Sequence, residues 1–461
     1  MTKRPIIAVY VSVFLLCLDV SGLTSLFAVS YFFRFGVWPD HLAVALVWPI
    51  TLILFSLYIV DAYRIETRIT GIRTPVRSIV GVGIGGLLSA AAAYIGGYWG
   101  TVQFFGRGVF PVALLLFGFW AAVTRWLMNK WTKQHAEQVR WLALGDGEPA
   151  QQLWIDIKSR EESGELAFLA EQDRRNGDTG SVKTNLPVAG TIADLDNFDL
   201  KRYAGIIVTL RNPLPEALVK KLMQVRLQGT PVYDMSDFYE RYWSKVPVLH
   251  LHDGWFVFSS GFDLLQNPIG LRLKRALDLL MSGMFLIVAA PLILVLMFLI
   301  RLDSSGPAVY RQRRIGEGGA VFTLYKFRSM TSNAEQDGAK WASVGDARTT
   351  RVGKLLRTTR LDELPQLWNV LRGDMSFIGP RPERPEFTAM LEKQIPYYDL
   401  RHLVKPGITG WAQVMYSYGA SVDDAREKLQ YDLYYIKHYS LLLDVAILFK
   451  TVRVVLLGRG R

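Results

Sequence analysis

The sequence contains very little cysteine, and this absence narrows the function before any motif is considered. Cys17 is the single cysteine among 461 residues, and it lies inside an apolar run. A disulfide framework, a cysteine-based zinc site or thiol chemistry is therefore not supported. Charge is also scarce: charged residues make up 20% of the chain and apolar residues 50%, more apolar than usual for a soluble protein.

The length and the charge balance indicate several domains and an anionic partner. A chain of 461 residues predicts two or three domains. The formal net charge of +12 is compatible with nucleic acid, anionic lipid or phosphorylated substrates. The order of apolar and basic segments favours lipid and phosphorylated substrates, so we expect no nucleic acid partner.

Four apolar segments fill the first 135 residues, and each is long enough to cross a bilayer about 30 Å thick. They span approximately Ile6–Phe33, Leu42–Val60, Ser78–Trp99 and Val109–Met128. The first continues for more than twenty residues without a small-residue cleavage site, which predicts a retained membrane helix and not a signal peptide. The glycine-rich third segment predicts close helix packing.

Basic residues near the ends of these segments predict that both termini of the bundle face the cytoplasm. The residues on the predicted cytoplasmic side are Lys3, Arg4, Arg64, Arg68, Arg73, Arg77, Arg125, Lys130 and Lys133. Asp19 lies within the first segment. A charge at that depth can mark an ion path, but without a second carboxylate a helix-contact role is favoured.

Residues 136–250 alternate strand-like and helical patterns, which predict a parallel sheet with right-handed crossovers. A buried strand running into a glycine turn is expected over Val139–Gly147, and further strands at Ala204–Leu210 and Thr230–Tyr233. The helices are expected at Pro149–Lys158 and Pro215–Gln228, with a turn at Pro187–Gly190 and a polar loop at Gln172–Lys183. The Gly145-Asp-Gly147 turn lacks the third glycine of a dinucleotide fingerprint. We therefore favour a degenerate, structural or regulatory Rossmann-like domain over a working nucleotide site.

A fifth apolar run, Leu279–Ile300, follows a linker at 251–270 and begins the last domain, 271–461. Basic residues flank it on both sides, which argues against either end being extracellular. Pro291 lies inside the run, where a proline bends a helix. These features favour a re-entrant helix that enters the inner leaflet and returns; the alternative is a fifth spanning helix.

The rest of the last domain is basic and mostly helical. Strands are predicted at Val309–Gln312 and Ala320–Arg328, and helices at Leu364–Leu371, Glu383–Lys393, Val422–His438 and Leu441–Leu457. The final two helices either lie on the membrane with Lys437, Lys450 and Arg453 toward the headgroups or cover the domain core.

Two adjacent carboxylates, Asp362 and Glu363, open a short helix in this domain. If Asp362 is the helix N-cap, the free N–H groups and the helix dipole favour its ionised form. An ionised carboxylate can attack phosphorus, and cations then neutralise the phosphate oxygens. The available cations are Lys326, Arg328, Arg357, Arg360 and Arg381, and Asp362 or Glu363 could hold Mg²⁺. The alternative is an ordinary cap with surface basic residues.

Several motifs together resemble the bacterial sugar transferase family, the polyprenyl-phosphate hexose-1-phosphate transferases. They are Lys274-Arg275, Tyr325-Lys-Phe-Arg-Ser-Met330, Leu361-Asp-Glu-Leu-Pro-Gln-Leu-Trp-Asn-Val-Leu371, Gly373-Asp-Met-Ser-Phe-Ile-Gly-Pro-Arg-Pro382, Lys405-Pro-Gly-Ile-Thr-Gly-Trp-Ala-Gln413 and Tyr431-Asp-Leu-Tyr-Tyr435. The resemblance covers about Gly270 to the C-terminus. The helices and the Rossmann-like domain ahead of it resemble the large, polytopic branch of the monotopic phosphoglycosyl transferases. One stretch departs from the family: Val414–Gly419 lacks an arginine seen in many relatives.

The resemblance implies a two-step mechanism. Asp362 attacks the β-phosphate of a UDP-sugar, expels UMP and forms a sugar-phospho-aspartate. Undecaprenyl phosphate then accepts the sugar-1-phosphate, which begins an exopolysaccharide or capsule repeat unit. Glu363 matches the second acid of the dyad, with a metal or acceptor-positioning role. Lys326, Arg357, Arg381 and Asp432 match positions that bind phosphate, nucleotide or metal, and Pro291 matches the helix-breaking proline.

The sequence thus predicts a membrane protein of α plus α/β class, with a four-helix transmembrane bundle, a Rossmann-like domain and a mostly helical catalytic domain on a re-entrant helix. The expected setting is the bacterial inner membrane, with the catalytic domain on the cytoplasmic face. The expected partners are Mg²⁺, undecaprenyl phosphate, membrane lipids and a UDP-sugar, with glucose or galactose favoured; homo-oligomerisation stays open. The alternatives are a non-catalytic scaffold of polysaccharide machinery and a nucleotide-dependent oxidoreductase or epimerase, which the broken glycine fingerprint argues against.

Overall fold

The fold is taken from a computed structural model of the chain. It describes residues 4–39, 46–63, 73–99, 104–105, 108–136, 140–159, 165–171, 186–210, 214–251, 255, 259–263, 265–331, 334, 346, 348–416, 419 and 421–456. The predicted loop Gln172–Lys183 lies outside these residues, as do Lys3, Arg64 and Arg68 and the side chains of Arg4, Arg73 and Lys133.

Four helices form the N-terminal bundle: α1 (Arg4–Phe35), α2 (Val47–Ile59), α3 (Arg73–Ile95) and α4 (Val109–Ala136). Three of them contain apolar stretches long enough to cross a membrane, as predicted. The second predicted segment differs, because α2 has 13 residues and rises only about 20 Å. Residues 42–45 of that segment lie outside the described part of the chain.

Small residues and a buried ion pair stabilise the described part of the bundle. A Cβ added at Gly85 would lie 2.6 Å from the Ile53 Cα, so the glycine allows α3 to approach α2 closely, as the composition predicted. Asp19 on α1 is fully buried and accepts two hydrogen bonds from the Arg125 guanidinium on α4. The helix-contact role of Asp19 is therefore confirmed, and Arg125 is a buried partner and not an exposed flanking charge.

A five-stranded parallel sheet follows the bundle. Its strands are β1 (Arg140–Leu144), β2 (Glu165–Ala170), β3 (Val188–Thr191), β4 (Tyr203–Val208) and β5 (Val232–Asp234), with helices α5 (Glu148–Ser159) and α6 (Glu216–Leu227) between them. The spatial order is β3-β2-β1-β4-β5, and every pairing is parallel. This is the strand order of the first five strands of doubly wound dinucleotide-binding folds. The predicted parallel sheet is confirmed, whereas the turn expected at Pro187–Gly190 is wrong, since most of it forms the edge strand β3.

The chain divides into two compact units, Met1–Phe238 and Tyr239–Arg461. The division falls inside helix α7 (Met235–Trp243), ahead of the predicted linker at 251–270. Residues just after the division belong to the core of the second unit: Val246 and Val248 are buried there, and the Lys245 ammonium pairs with Glu427 at 2.8 Å. The predicted domain boundaries at 135, 250 and 270 stay predictions.

Helix α8 (Pro268–Asp303) lies in the second unit; it has 36 residues and is continuous through Pro291. It is long and apolar enough to cross a membrane, and only 11% of its most apolar stretch is buried. Its first turns are tied to the unit, because the Lys274 ammonium pairs with Asp444 at 2.6 Å and the Asp278 carboxylate accepts from the Phe377 N–H at 2.9 Å. Re-entry at Pro291 stays a prediction.

The remaining elements alternate short strands with helices. An antiparallel hairpin joins β6 (Val309–Ile315) to β7 (Val321–Phe327), and a parallel pair joins β8 (Ser376–Ile378) to β9 (Gly407–Thr409). The helices are α9 (Arg351–Thr359), α10 (Gln366–Arg372), α11 (Pro385–Gln394), α12 (Trp411–Met415), α13 (Val422–Lys437) and α14 (Leu441–Leu456).

The structure decides the alternative left open by the sequence for the first of the last two helices. Helix α13 belongs to the core, and Lys437 is buried and paired with Glu240 at 2.7 Å, so its expected position toward headgroups is wrong. The Lys450 ammonium lies 4.8 Å from the centre of the Trp411 ring. Helix α14 buries Ile447 completely yet leaves Leu442 84% exposed, so it covers the core with one face and presents apolar side chains on another.

Candidate active site

The two carboxylates lie on a tight turn between two helices. Leu361–Glu363 form a single 3₁₀ turn after α9, and Arg360 links the two with a left-handed φ of 57°. The N-cap position belongs to Arg360 and not to Asp362. The expectation that capping keeps Asp362 ionised is therefore wrong, and its electrostatics must come from neighbouring side chains.

Glu363 is held between two cations. Its Oε1 accepts from the Arg381 guanidinium at 2.8 Å and lies 3.3 Å from the Lys326 ammonium. Burial raises the pKa of the Glu363 carboxyl, but the charges of Arg381 and Lys326 outweigh burial and lower the pKa well below its usual range. The two cations thus favour the ionised form of Glu363, which in turn holds both of them in place.

Asp362 has the opposite environment. Within the described part of the chain, no hydrogen bond or ion pair holds its carboxylate. Burial, followed by the negative charge of Glu363, raises the pKa of Asp362, while Lys326, Arg381 and Arg357 oppose the rise. The structure therefore places an unrestrained carboxylate beside two cations that its neighbour holds in place.

A buried amide sets the distance between the dyad and Lys326. Asn369 on α10 is fully buried; its amide donates to the Thr323 carbonyl at 2.7 Å and accepts from the Tyr325 N–H at 3.0 Å. These bonds attach α10 to β7, the strand that carries Lys326. Asn369 is a functional residue that the motifs did not single out, although an asparagine within an otherwise apolar helical stretch is a signal for such a bond.

Three glycines position the segment that carries Arg381. A Cβ at Gly379 would lie 2.2 Å from the Lys405 carbonyl oxygen, and one at Gly407 or Gly410 would lie 2.1 Å from the backbone of Gly379. Any side chain at these positions would push the backbone segments apart. The close approach of β8 and β9 thus fixes the position of the Arg381 backbone.

The structure separates the other predicted binding residues into two groups. Arg357 and Arg360 lie close enough for their charges to act on the dyad: Arg357 lowers the pKa of Asp362, and Arg360 that of Glu363. Arg328 does not join the dyad, because its guanidinium is buried and donates to the Ser304 carbonyl at 2.7 Å at the end of α8.

Asp432 also lies apart from the dyad's hydrogen bonds. It is buried on α13 and pairs with Arg401 at 2.9 Å. Burial raises the pKa of Asp432 to about 6, although Arg401 lowers it. Of the stretch Val414–Gly419, which departs from the family, residues 417 and 418 lie outside the described part.

A divalent cation fits the dyad in one coordination mode. The described residues contain no group of three His, Cys, Asp or Glu side chains that could hold a metal by themselves. Mg²⁺ commonly binds one or two carboxylates and takes its other ligands from water and substrate phosphates. Asp362 and Glu363 suit that mode.

Comparison with known proteins agrees with this geometry. A profile described as bacterial sugar transferase matches residues 269–458, which contain the dyad and all its cations. The undecaprenyl-phosphate galactose phosphotransferase of Salmonella typhimurium is 34% identical over 380 residues, which cover 76% of this chain and 74% of that protein. The chain belongs to the bacterial sugar transferase family.

Two further relatives carry different sugars in their names. The UDP-N-acetylgalactosamine-undecaprenyl-phosphate N-acetylgalactosaminephosphotransferase of Aeromonas hydrophila is 42% identical over 285 residues, 62% of this chain and 66% of that protein. The undecaprenyl-phosphate glucose phosphotransferase of Komagataeibacter xylinus is 43% identical over 325 residues, 67% of this chain and 58% of that protein. In both cases this sugar transferase family member spans less than two thirds of the relative.

Proposed function

We propose that the protein transfers a hexose-1-phosphate from a UDP-sugar to undecaprenyl phosphate, through a covalent intermediate on Asp362. The observation that carries this proposal is the contrast within the dyad. Glu363 is held by Lys326 and Arg381, whereas Asp362 has no partner among the described residues. A carboxylate without a partner is available to attack, and the cations beside it can neutralise a pyrophosphate.

The first step forms an acyl phosphate. An Asp362 carboxylate oxygen attacks the β-phosphorus of the UDP-sugar and forms a new P–O bond. The bond between the β-phosphorus and the oxygen bridging to the α-phosphate breaks, and UMP leaves with that electron pair. The sugar-1-phosphate remains on Asp362 as a mixed anhydride.

The second step regenerates the carboxylate. A phosphate oxygen of undecaprenyl phosphate attacks the same phosphorus, and the bond to the Asp362 oxygen breaks. The products are undecaprenyl diphospho-sugar and free Asp362. Both steps bring anions together, and the cations around the dyad reduce that repulsion.

Lys326 and Arg381 are the cations best placed for this task. Burial lowers the pKa of the Lys326 ammonium, and the negative charge of Glu363 opposes the decrease. Glu363 thus favours the charged form of Lys326, which can then act on the substrate phosphates. We propose that Asp362 or Glu363 also holds Mg²⁺, which when bound supplies additional positive charge to the phosphate oxygens.

We place the reaction at the cytoplasmic leaflet of the bacterial inner membrane. A soluble sugar nucleotide must meet a lipid phosphate there, and basic residues flank the apolar run of α8 on both sides. The apolar, exposed surface of α8 and Leu442 on α14 suit contact with lipid. Re-entry of α8 at Pro291 would keep both of its ends on that side.

A UMP-release assay tests the proposal directly. The full-length protein in detergent micelles is incubated with undecaprenyl phosphate and a panel of UDP-sugars, including UDP-glucose, UDP-galactose and UDP-N-acetylgalactosamine. We expect UMP and a labelled lipid product from at least one sugar. Absence of lipid-linked product with every sugar would favour the scaffold alternative. Glucose or galactose stays our expectation, and the panel identifies the sugar.

A further inference from the structure

The segment Pro380–Pro382, which carries Arg381, forms its backbone hydrogen bonds mainly through its carbonyl groups. Pro380 and Pro382 have no N–H group, so neither can donate a backbone hydrogen bond. All three carbonyls accept one instead: that of Pro380 from the Gly407 N–H at 2.9 Å, that of Pro382 from Arg314 at 2.8 Å, and that of Arg381 from Arg401 at 2.9 Å.

The donor to the Arg381 carbonyl is itself built into the core. Arg401 is only 6% exposed, and the nitrogen that donates to Arg381 also donates to the Asp432 carboxylate at 2.9 Å. Its other terminal nitrogen donates to the Tyr398 hydroxyl. Arg401 thus joins Asp432, which is 2% exposed, to the backbone of the residue that contacts Glu363.

We propose that Arg401 is a positioning residue of the transfer reaction: it holds the Arg381 carbonyl so that the Arg381 side chain meets Glu363, and Asp432 is the counterion of Arg401. This proposal deepens the proposed function and rests on it for its kinetic consequences. It also assigns Asp432 no contact with nucleotide, lipid phosphate or metal, in contrast to the role that the family resemblance implies.

The physical reason lies in the shape of the guanidinium. Its planar, fixed N–H groups can bind a hydroxyl, a carbonyl and a carboxylate at set angles, which an ammonium on a flexible chain cannot reproduce. Displacement of a catalytic group by about 1 Å can reduce a rate by on the order of 10²-fold. A loosened Arg381 carbonyl should therefore impair catalysis although no reacting group is changed.

The first test replaces the pair without leaving an unpaired buried charge. Arg401→Met with Asp432→Leu substitutes apolar side chains of similar length, which buried ion pairs often tolerate. The control is Arg426→Met with Asp423→Leu, an exposed pair on the same helix α13. We expect kcat for UMP release to fall by on the order of 10²-fold in the first variant and to stay at the parent value in the control.

A double-mutant cycle shows whether Arg401 acts through Arg381. In an Arg381→Ala background, the Arg401 and Asp432 changes should cost little further activity, because the side chain that they position is already absent. A full additional loss in that background would contradict the proposal. So would a variant whose KM for UDP-sugar rises while kcat is unchanged, since that result indicates direct substrate binding by Asp432.

A thermal cycle separates this proposal from the proposed function, because it needs no turnover. We expect Glu363→Gln to lower Tm, because it weakens the contact with Arg381. If Arg401 holds Arg381 in place, that loss of Tm should shrink by half or more when Arg401 and Asp432 are replaced. An unchanged loss would overturn the positioning role even if the enzyme were active. Conversely, if the unsubstituted protein is inactive with every UDP-sugar, the proposed function is refuted. The thermal cycle would still decide the role of Arg401, because it needs no activity.

Discussion

Neutralising the two adjacent carboxylates should change the stability of the protein in opposite directions. The pKa of Asp362 is raised by burial and by Glu363, whereas that of Glu363 is lowered by Arg381 and Lys326 against the effect of burial. Because the pKa of Asp362 is raised, its protonated form stabilises the folded protein at low pH. That stability is lost as the pH rises through the pKa of Asp362 in the folded state. A lowered pKa contributes stability above the ordinary value and loses it toward acid pH.

At neutral pH, the charge of Glu363 therefore stabilises the folded protein, whereas the charge of Asp362 destabilises it. Glu363→Gln removes the charge of a buried carboxylate, and because its partner Arg381 is 41% exposed, the cost lies at the low end of the range for breaking a buried pair, about 3 kcal/mol. For a domain the size of the second unit, Tyr239–Arg461, this cost corresponds to a decrease in Tm of about 6–12 °C. Asp362→Asn removes a charge that burial and Glu363 disfavour. Removal of an unfavourable charge commonly adds about 1 kcal/mol to the free energy of unfolding, which raises Tm by about 2–4 °C.

The assay is thermal unfolding of the full-length variants in one detergent, followed by tryptophan fluorescence at neutral pH. Asp423→Asn, in the exposed pair with Arg426, is the matched control and should leave Tm near the parent value. Two shifts of the same sign, or a stabilised Glu363→Gln variant, would refute the electrostatic account of the dyad.

Three further predictions follow from the same contacts. The acid limb of the pH–rate profile should move to lower pH in Glu363→Gln, since loss of that charge lowers the pKa of Asp362; an unmoved limb would show that another group titrates. Asn369→Ala should cost about 1–3 kcal/mol and also reduce kcat, and a purely thermal effect would exclude a positioning role. Gly379→Ala should destabilise the protein by about 1–3 kcal/mol, whereas Gly283→Ala, whose added Cβ meets nothing within 4 Å, should not; equal unfolding curves would contradict the close packing.

Local patterns predicted much of the architecture. The sequence predicts strands β1, β4 and β5 at nearly their observed positions, because apolar runs and flanking turns mark them. It also predicts strands β6 and β7, whereas their antiparallel pairing is seen only in the fold. Strand β3 was misassigned as a turn, since a sheet edge tolerates the Pro187 and Gly190 that usually signal a turn. Helix α9 was not predicted, although Thr350 caps it by accepting from the Gly353 N–H.

Contacts between distant residues were beyond the reach of those patterns. Lys437 resembles a headgroup-facing lysine in its own helix, yet its partner Glu240 lies 197 positions earlier. The Arg401 and Asp432 pair and the Asn369 amide likewise depend on tertiary neighbours. The sequence could therefore indicate the dyad and its cations, but only the fold shows that Glu363 holds the cations while Asp362 is left unrestrained.

The most direct test of the covalent mechanism is a single-turnover experiment without a lipid acceptor. The protein is mixed with the UDP-sugar that it accepts, and UMP release and the mass of the intact protein are followed together. The account predicts one UMP per active site and a matching hexose-phosphate adduct on the peptide that contains Asp362, with neither formed by Asp362→Asn. UMP release that requires undecaprenyl phosphate, or an unchanged rate in Asp362→Asn, would contradict it.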